Sequence, residues 1–289
     1  QTKKAMSYKF KKWKGRLILS MSLYLLGYAN FAVAHEPIFG TGPHTIYKDG
    51  VGLELKYERE QSQHGYEQAL HLHATYGLTA DWAVAVEVPQ VKKIEENQNA
   101  SGTGDVMLQT KWRFYRRDYA EGRQDQVALL AAVKFPTGDT DSEPSLGSGS
   151  TDTIIGFTVG RASRTLYYFA DLRYRINGEN DKKASLTLKK GNAWLYGASF
   201  GFRPWLSEYW EPDMVFLMEL FGKQQAKATL KNKALENTGG HTTFVGPSFL
   251  WSYKNWMVTG GVSVPVMQNL NGEQEKQQYQ FALGIELHL

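Results

Sequence analysis

Seven histidines and no cysteine decide which chemistry is open to this chain of 289 residues. Without a thiol there is no disulfide framework, no thiolate metal site and no cysteine nucleophile. The arrangements that remain are built on imidazole. His71 and His73 stand two positions apart, so on an extended strand their rings fall on one side and offer two nitrogens to a metal. His35 would gain a free α-amino group if cleavage made it the first residue, and the amine and imidazole together form a bidentate chelate suited to Cu(II). Glu36 or His44 would complete it. Copper at His35 and His44 is therefore one expectation, and apart from it no cofactor is expected. Neither G-x-S-x-G nor H-E-x-x-H occurs, and Gly102-Thr103-Gly104 lacks the strand-to-helix setting of a phosphate loop. The chain is not expected to be an enzyme. A hydrolase whose Ser, His and acid meet only on folding is the alternative from that class.

The other chemically capable side chains are scattered: Glu54, Lys56, Glu87, Asp105, Lys111, Arg113, Asp171, Arg173, Arg175 and Glu219. With His71 and His73 they share a phase. Each lies on the polar side of a segment whose alternate positions are uncharged, as in Leu53, Leu55, Tyr57 or Leu70, Leu72, Ala74, Tyr76. Apolar residues at every second position, with Gly, Asp, Asn and Ser between the runs, indicate strands. Twelve such segments are marked, at 51–58, 67–78, 82–90, 105–115, 126–136, 153–161, 165–177, 192–203, 213–222, 242–253, 256–266 and 278–289. Strands of a soluble sandwich run to about 5–6 residues. These are longer, near the ~9–11 residues that a tilted strand needs to cross hydrocarbon. A charge facing lipid at midplane costs about 2–4 kcal/mol, which explains why that face is kept clean. The fold class expected is all-β, an antiparallel transmembrane barrel of about twelve strands, with the polar set facing its lumen.

Connections and termini agree. Alternate turns are short (79–81, 116–125, 162–164, 204–212, 254–255), and the others (59–66, 91–104, 137–152, 178–191, 223–241, 267–277) are longer. That asymmetry is expected of periplasmic turns and outer loops. Trp82, Trp112, Trp205, Trp210, Trp251 and Trp256 fall near the short set, where an aromatic girdle would sit. Residues 1–34 carry seven Lys/Arg and no acid, leaving 26 basic against 29 acidic side chains in the remainder. The basic pI therefore reflects a leader and gives no reason to expect nucleic acid. Met6 as the start, a cationic stretch, an apolar stretch from Leu17 to Leu26 and Ala32-Val33-Ala34 read as a signal peptide removed before His35. Residues 35–50 then form a periplasmic or lumen-plugging segment, since Ile38, Phe39, Ile46 and Tyr47 are more apolar than a disordered tail requires. The barrel proper is 51–289. The lumen charges balance in number, which suggests cross-strand pairing without strong ion selectivity.

Four stretches carry a resemblance: Gly104-Asp105-Val106-Met107-Leu108-Gln109-Thr110-Lys111-Trp112-Arg113-Phe114, Lys134-Phe135-Pro136-Thr137-Gly138-Asp139, Leu146-Gly147-Ser148-Gly149-Ser150-Thr151-Asp152 and Gly260-Gly261-Val262-Ser263-Val264-Pro265. In this order they resemble the outer-membrane transporter family of the meta-cleavage pathway of phenol degradation, over about residues 50–289. Locally, Pro136 suits a strand end, Gly138 a turn of positive φ, and the Gly-Ser-Gly-Ser run at 147–150 a re-entry into the sheet after a flexible outer loop. The resemblance implies a location in the cell outer membrane and tilts the cargo toward hydrophobic or aromatic molecules. The partners expected are outer-membrane lipid, the barrel assembly machinery and a small-molecule solute. A copper-handling protein is the alternative function.

Overall fold

The structure, a computed structural model, describes residues 36–96, 98–120, 123–180, 188–207 and 210–289. The expected leader and His35 lie outside the described residues. Twelve long strands follow one another: β1 (Val51–Ser62), β2 (Gly65–Thr79), β3 (Trp82–Glu95), β4 (Met107–Ala120), β5 (Arg123–Lys134), β6 (Asp152–Ala162), β7 (Leu166–Ile176), β8 (Ala193–Phe202), β9 (Asp213–Gln225), β10 (Gly240–Tyr253), β11 (Trp256–Leu270) and β12 (Gln277–His288). Each pairs antiparallel with its sequence neighbours. β12 returns to β1, in register from Gly52↔His288 to Ser62↔Gln277, and the sheet closes. Closure is what lets strands cross hydrocarbon, because no edge amide is left without a partner. Among the described residues there is no helix.

The uncharged phase points outward. Leu72 is 53% exposed and Ile155 50%, in company with Leu53, Leu108, Phe157, Phe200 and Leu283. Such a surface would be an aggregation hazard in water, whereas acyl chains wet it without penalty. Trp82, Trp112, Trp205, Trp210 and Trp256 are exposed around the end that carries the chain's carboxyl terminus and short turns, here the terminal end. Tyr174 and Trp194 pair at 4.7 Å toward the other, loop end.

The expected loops are the main difference. β1 and β2 continue to Ser62 and from Gly65, and β3 runs on to Glu95 before the short strand Gln98–Thr103 folds back along it. Beyond the hydrocarbon both faces meet water, so alternation fades from the sequence while backbone pairing continues. The connection 135–151 is different again, with no strand of its own.

Candidate functional site in the lumen

Two pieces of chain enter the barrel. At the loop end, residues 137–150 fold inward and are held by one carboxylate. Asp105 accepts from the backbone N–H of Gly138 (3.0 Å) and of Ser148 (2.8 Å), from the Ser148 hydroxyl (2.6 Å) and from Lys134 Nζ (2.9 Å). Lys134 also reaches Asp152 at 2.7 Å. The Thr137 hydroxyl donates to Gly104 O (3.0 Å) and accepts from the Val106 N–H (2.8 Å). Three of the four motifs behind the resemblance are thus one hydrogen-bonded cluster, although they lie far apart in sequence. Two local expectations are corrected. Gly138 is not among the glycines of positive φ; it is needed because a Cβ there would lie 2.7 Å from Gly147 Cα. The loop is not slack where it re-enters the sheet either, since Ser148 is committed to Asp105 and to Ser150 and Leu146 is buried against Ala69, Val91 and Ala100.

At the terminal end the lumen holds residues 36–47. The carboxylate of Glu219, 1% exposed on β9, accepts the N–H groups of Ile38 and Phe39, each at 3.0 Å, and the hydroxyl of Ser248. Lys56 Nζ on β1 donates to Ile38 O (2.8 Å), and Lys111 Nζ on β4 to Glu36 Oε1 (2.7 Å). Asp171 on β7 accepts from Thr41 N (3.4 Å), and the Thr158 hydroxyl on β6 donates to Thr41 O (2.9 Å). One short segment that touches β1, β4, β6, β7 and β9 of a closed barrel has to lie inside it. Small wall residues make the room: a Cβ on Gly197 would stand 2.3 Å from Asp171 Oδ2 and 3.6 Å from Gly40 Cα, and one on Gly261 would stand 2.9 Å from the Phe39 ring.

The remaining polar residues sort by wall. On β1 to β3, His71 bonds Glu87 (2.9 Å) and faces Glu58 (3.5 Å), Lys56 pairs with Glu58 (2.7 Å), and His73 lies 3.8 Å from Glu54. Across the lumen, Arg173 pairs with Asp171 on its own strand at 2.7 Å, and Arg175 makes no ion pair or side-chain hydrogen bond among the described residues. Arg113 instead sits at the terminal end, bound to Asp81 (2.8 Å), Ala80 O (2.8 Å) and Gln126 (3.2 Å). The balance counted in sequence is therefore segregated, with a carboxylate-rich wall on β1 to β3 and an arginine and lysine wall on β7 to β9. The sequence reading ended β1 at 58 and β9 at 222, so it left out Glu60 and Lys223, and within β1 it passed over Glu58, which shares the phase of Glu54 and Lys56. Strand parity alone would have found all three.

The two histidine sites behave differently from their metal reading. His71 and His73 each turn to a separate carboxylate. His44 packs edge-on against Phe169 at 5.8 Å, and Glu36 is engaged by Lys111. Among the described residues no group of three or more His, Asp or Glu converges as a metal site. No observation supports the copper alternative.

Among the described residues, three neighbouring cavities that share lining side chains open in the lumen. A cavity of about 560 Å³ lies at the loop end between Asp105, Leu146 and Glu67. A second, of about 530 Å³, lies above the inserted segment between Phe39, Glu60 and Lys223. A third, of about 230 Å³, lies below it between Glu36, Glu286 and Thr75.

A closed twelve-strand barrel with an apolar outer face and a polar, partly filled lumen is the architecture of an outer-membrane channel. The chain belongs to the family described as "Putative MetA-pathway of phenol degradation", whose model matches residues 86–279. Its structure is similar to the COG4313 outer membrane channel from Pseudomonas putida F1, with a TM-score of 0.74 and 11% identity over 89% of this chain and 100% of that one. A weaker likeness, TM-score 0.47 at 11% identity over 81% of this chain and 98% of the other, is to the NanC porin. At such identities the likeness is one of fold. No curated protein sequence matches this one.

Proposed function

We propose that this protein is a gated outer-membrane channel for small solutes with an apolar or aromatic body, and that residues 36–47 are the gate. The observation that carries the reading is the inserted segment itself, which stands between the 530 Å³ and 230 Å³ cavities and is held by side chains from opposite walls. The family's description points the cargo toward phenolic compounds. Solute enters from the loop end, waits in the upper cavity and passes when the segment moves aside. In this reading the leader is removed on export, the assembly machinery folds the barrel, and the terminal end faces the periplasm.

The test is uptake into liposomes that hold the purified barrel. The intact protein should admit phenol faster than a sugar of similar size, and deletion of 36–47 should admit both. If phenol enters no faster than it does into protein-free liposomes, with the segment present or deleted, the reading is wrong.

A further inference from the structure

The upper cavity has a chemical bias that a purely apolar cargo leaves unused. Three phenylalanine rings are stacked on its floor: Phe39 on Phe221 at 4.9 Å and 10°, and Phe221 on Phe244 at 5.3 Å and 11°. Phe221 and Phe244 belong to the wall, whereas Phe39 arrives on the inserted segment. Lys223 lies two residues beyond Phe221 on the same face of β9, which places it about 7 Å further toward the loop end. Leu195 pairs with both Lys223 and Arg173, and Arg175 is the next inward residue on β7. Both Lys223 and Arg175 line the cavity, and neither has an ion-pair partner among the described residues. On the far side the acids are already occupied: Glu58 by Lys56, Glu87 by His71, and Glu60 by the amides of Gln277 (3.1 Å) and Gln280 (3.3 Å).

We propose that this cavity is a binding subsite for a planar aromatic monocarboxylate, its ring lying against Phe221 in the place Phe39 now fills and its carboxylate on Lys223 and Arg175. The substrate class rests on the channel reading above and narrows it. Two cations that make no contact ion pair among the described residues, with Glu60 and Asp152 acting on them only at longer range, supply the charge-assisted donors that a carboxylate needs, and the acidic wall opposite fixes the orientation by repulsion. A stacked ring gives the flat apolar contact, and a volume of 530 Å³ is ample for one ring. Because Phe39 occupies the ring position, solute and gate compete for the same slot. Binding the one loosens the other, which makes the aromatic acid a cargo that opens its own path.

The experiment is calorimetric titration of the full barrel in detergent with benzoate, phenol and cyclohexanecarboxylate. Benzoate should bind most tightly. The double variant Lys223→Gln, Arg175→Gln should weaken benzoate about tenfold or more while leaving phenol unchanged. Phe39→Ala should strengthen benzoate, because the slot is vacated, whereas Phe221→Leu should weaken benzoate and phenol alike. Heat-modifiable migration on gels checks that each variant is a folded barrel. Equal affinity for benzoate and phenol, or a double variant that binds benzoate as the parent does, overturns the subsite. Phenol uptake into liposomes separates the two readings: if it persists while these affinities fail, the subsite alone falls, and if it is absent while the affinities hold, the channel reading falls.

Discussion

The lumen is obstructed twice, and the two obstructions are fastened by the same device with different backing. In each, one carboxylate of the wall accepts two backbone amides of the intruding chain: Asp105, just before β4, takes Gly138 and Ser148, and Glu219 on β9 takes Ile38 and Phe39. Asp105 is further braced by Lys134, which also holds Asp152, and its loop is tethered at both ends by β5 and β6. Glu219 makes no ion pair among the described residues, and within those residues its segment is continuous with the barrel at β1 alone. A loop fixed at both ends loses little entropy by staying in place, whereas a segment tethered on one side can leave as a unit at the cost of a few hydrogen bonds. On the proposed gating reading, the loop at 135–151 is the permanent wall and the amino-terminal segment the removable part.

Removing each obstruction tests that contrast most strongly. Deleting residues 36–47 should raise single-channel conductance in planar bilayers several-fold while leaving the barrel's thermal unfolding nearly unchanged, because every wall strand keeps its ladder. Unchanged conductance would remove the segment from the path. Single substitutions are gentler. Glu219→Ala strands one buried and one part-buried N–H group, at about 1–3 kcal/mol for the buried one, so the open fraction should rise at least about tenfold, with hydrogen exchange at residues 138–148 unaffected. Asp105→Ala should do the converse, speeding exchange at 138–148 by a similar factor and leaving the gating kinetics alone. If Asp105→Ala opens the channel as far as Glu219→Ala does, the two regions are not independent and the contrast fails. Smaller still is Gly197→Val, whose side chain would collide with Asp171 Oδ2. It should appear as partial-conductance levels, and a trace identical to the parent's would mean that the segment does not need that close approach.

How much of this was legible beforehand follows from what constrains each residue. The wall was legible because lipid imposes a rule at every second position, and Leu53, Leu55 and Leu72 obey it whatever their neighbours do. The strand tips were not, because Glu60, Gln61 and Lys93 lie above the hydrocarbon, where no rule separates the faces. Three stretches carried the resemblance without showing why; the reason is the Asp105 cluster, a contact across 29 to 43 positions of chain that no local pattern encodes. Gly138 showed that a special backbone was needed but not which kind, since close approach to Gly147 and positive φ leave the same letter. The inserted segment was suggested by Ile38, Phe39, Ile46 and Tyr47, yet its anchors were hidden among twelve polar residues of equal standing. Burial distinguishes Glu219 from Glu87, and burial is not written in sequence.

The finest prediction concerns acid. Glu36 is part of the inserted segment and lies outside the strands. Its burial, the largest influence, pushes the carboxyl above the usual glutamate range, Lys111 pulls it back, and Glu286 adds to the rise. In the withdrawn segment, back in water, Glu36 holds its proton only as tightly as an ordinary glutamate. The docked form therefore binds its proton more tightly, and docking strengthens as pH falls through the window between the raised and the ordinary value and is flat above it. Open probability should accordingly climb modestly as pH is raised through that window and level off above it. Glu54, His73, Glu286 and His288 are ionisable groups that line the same lower cavity, so the wild-type trend alone does not assign the effect. Glu36→Gln supplies the assignment: the climb should flatten in that variant while the conductance of the open state stays as it was. A slope that survives the substitution places the proton elsewhere on the acidic wall, and the loop-end cluster around Asp105 should show no such dependence in either protein.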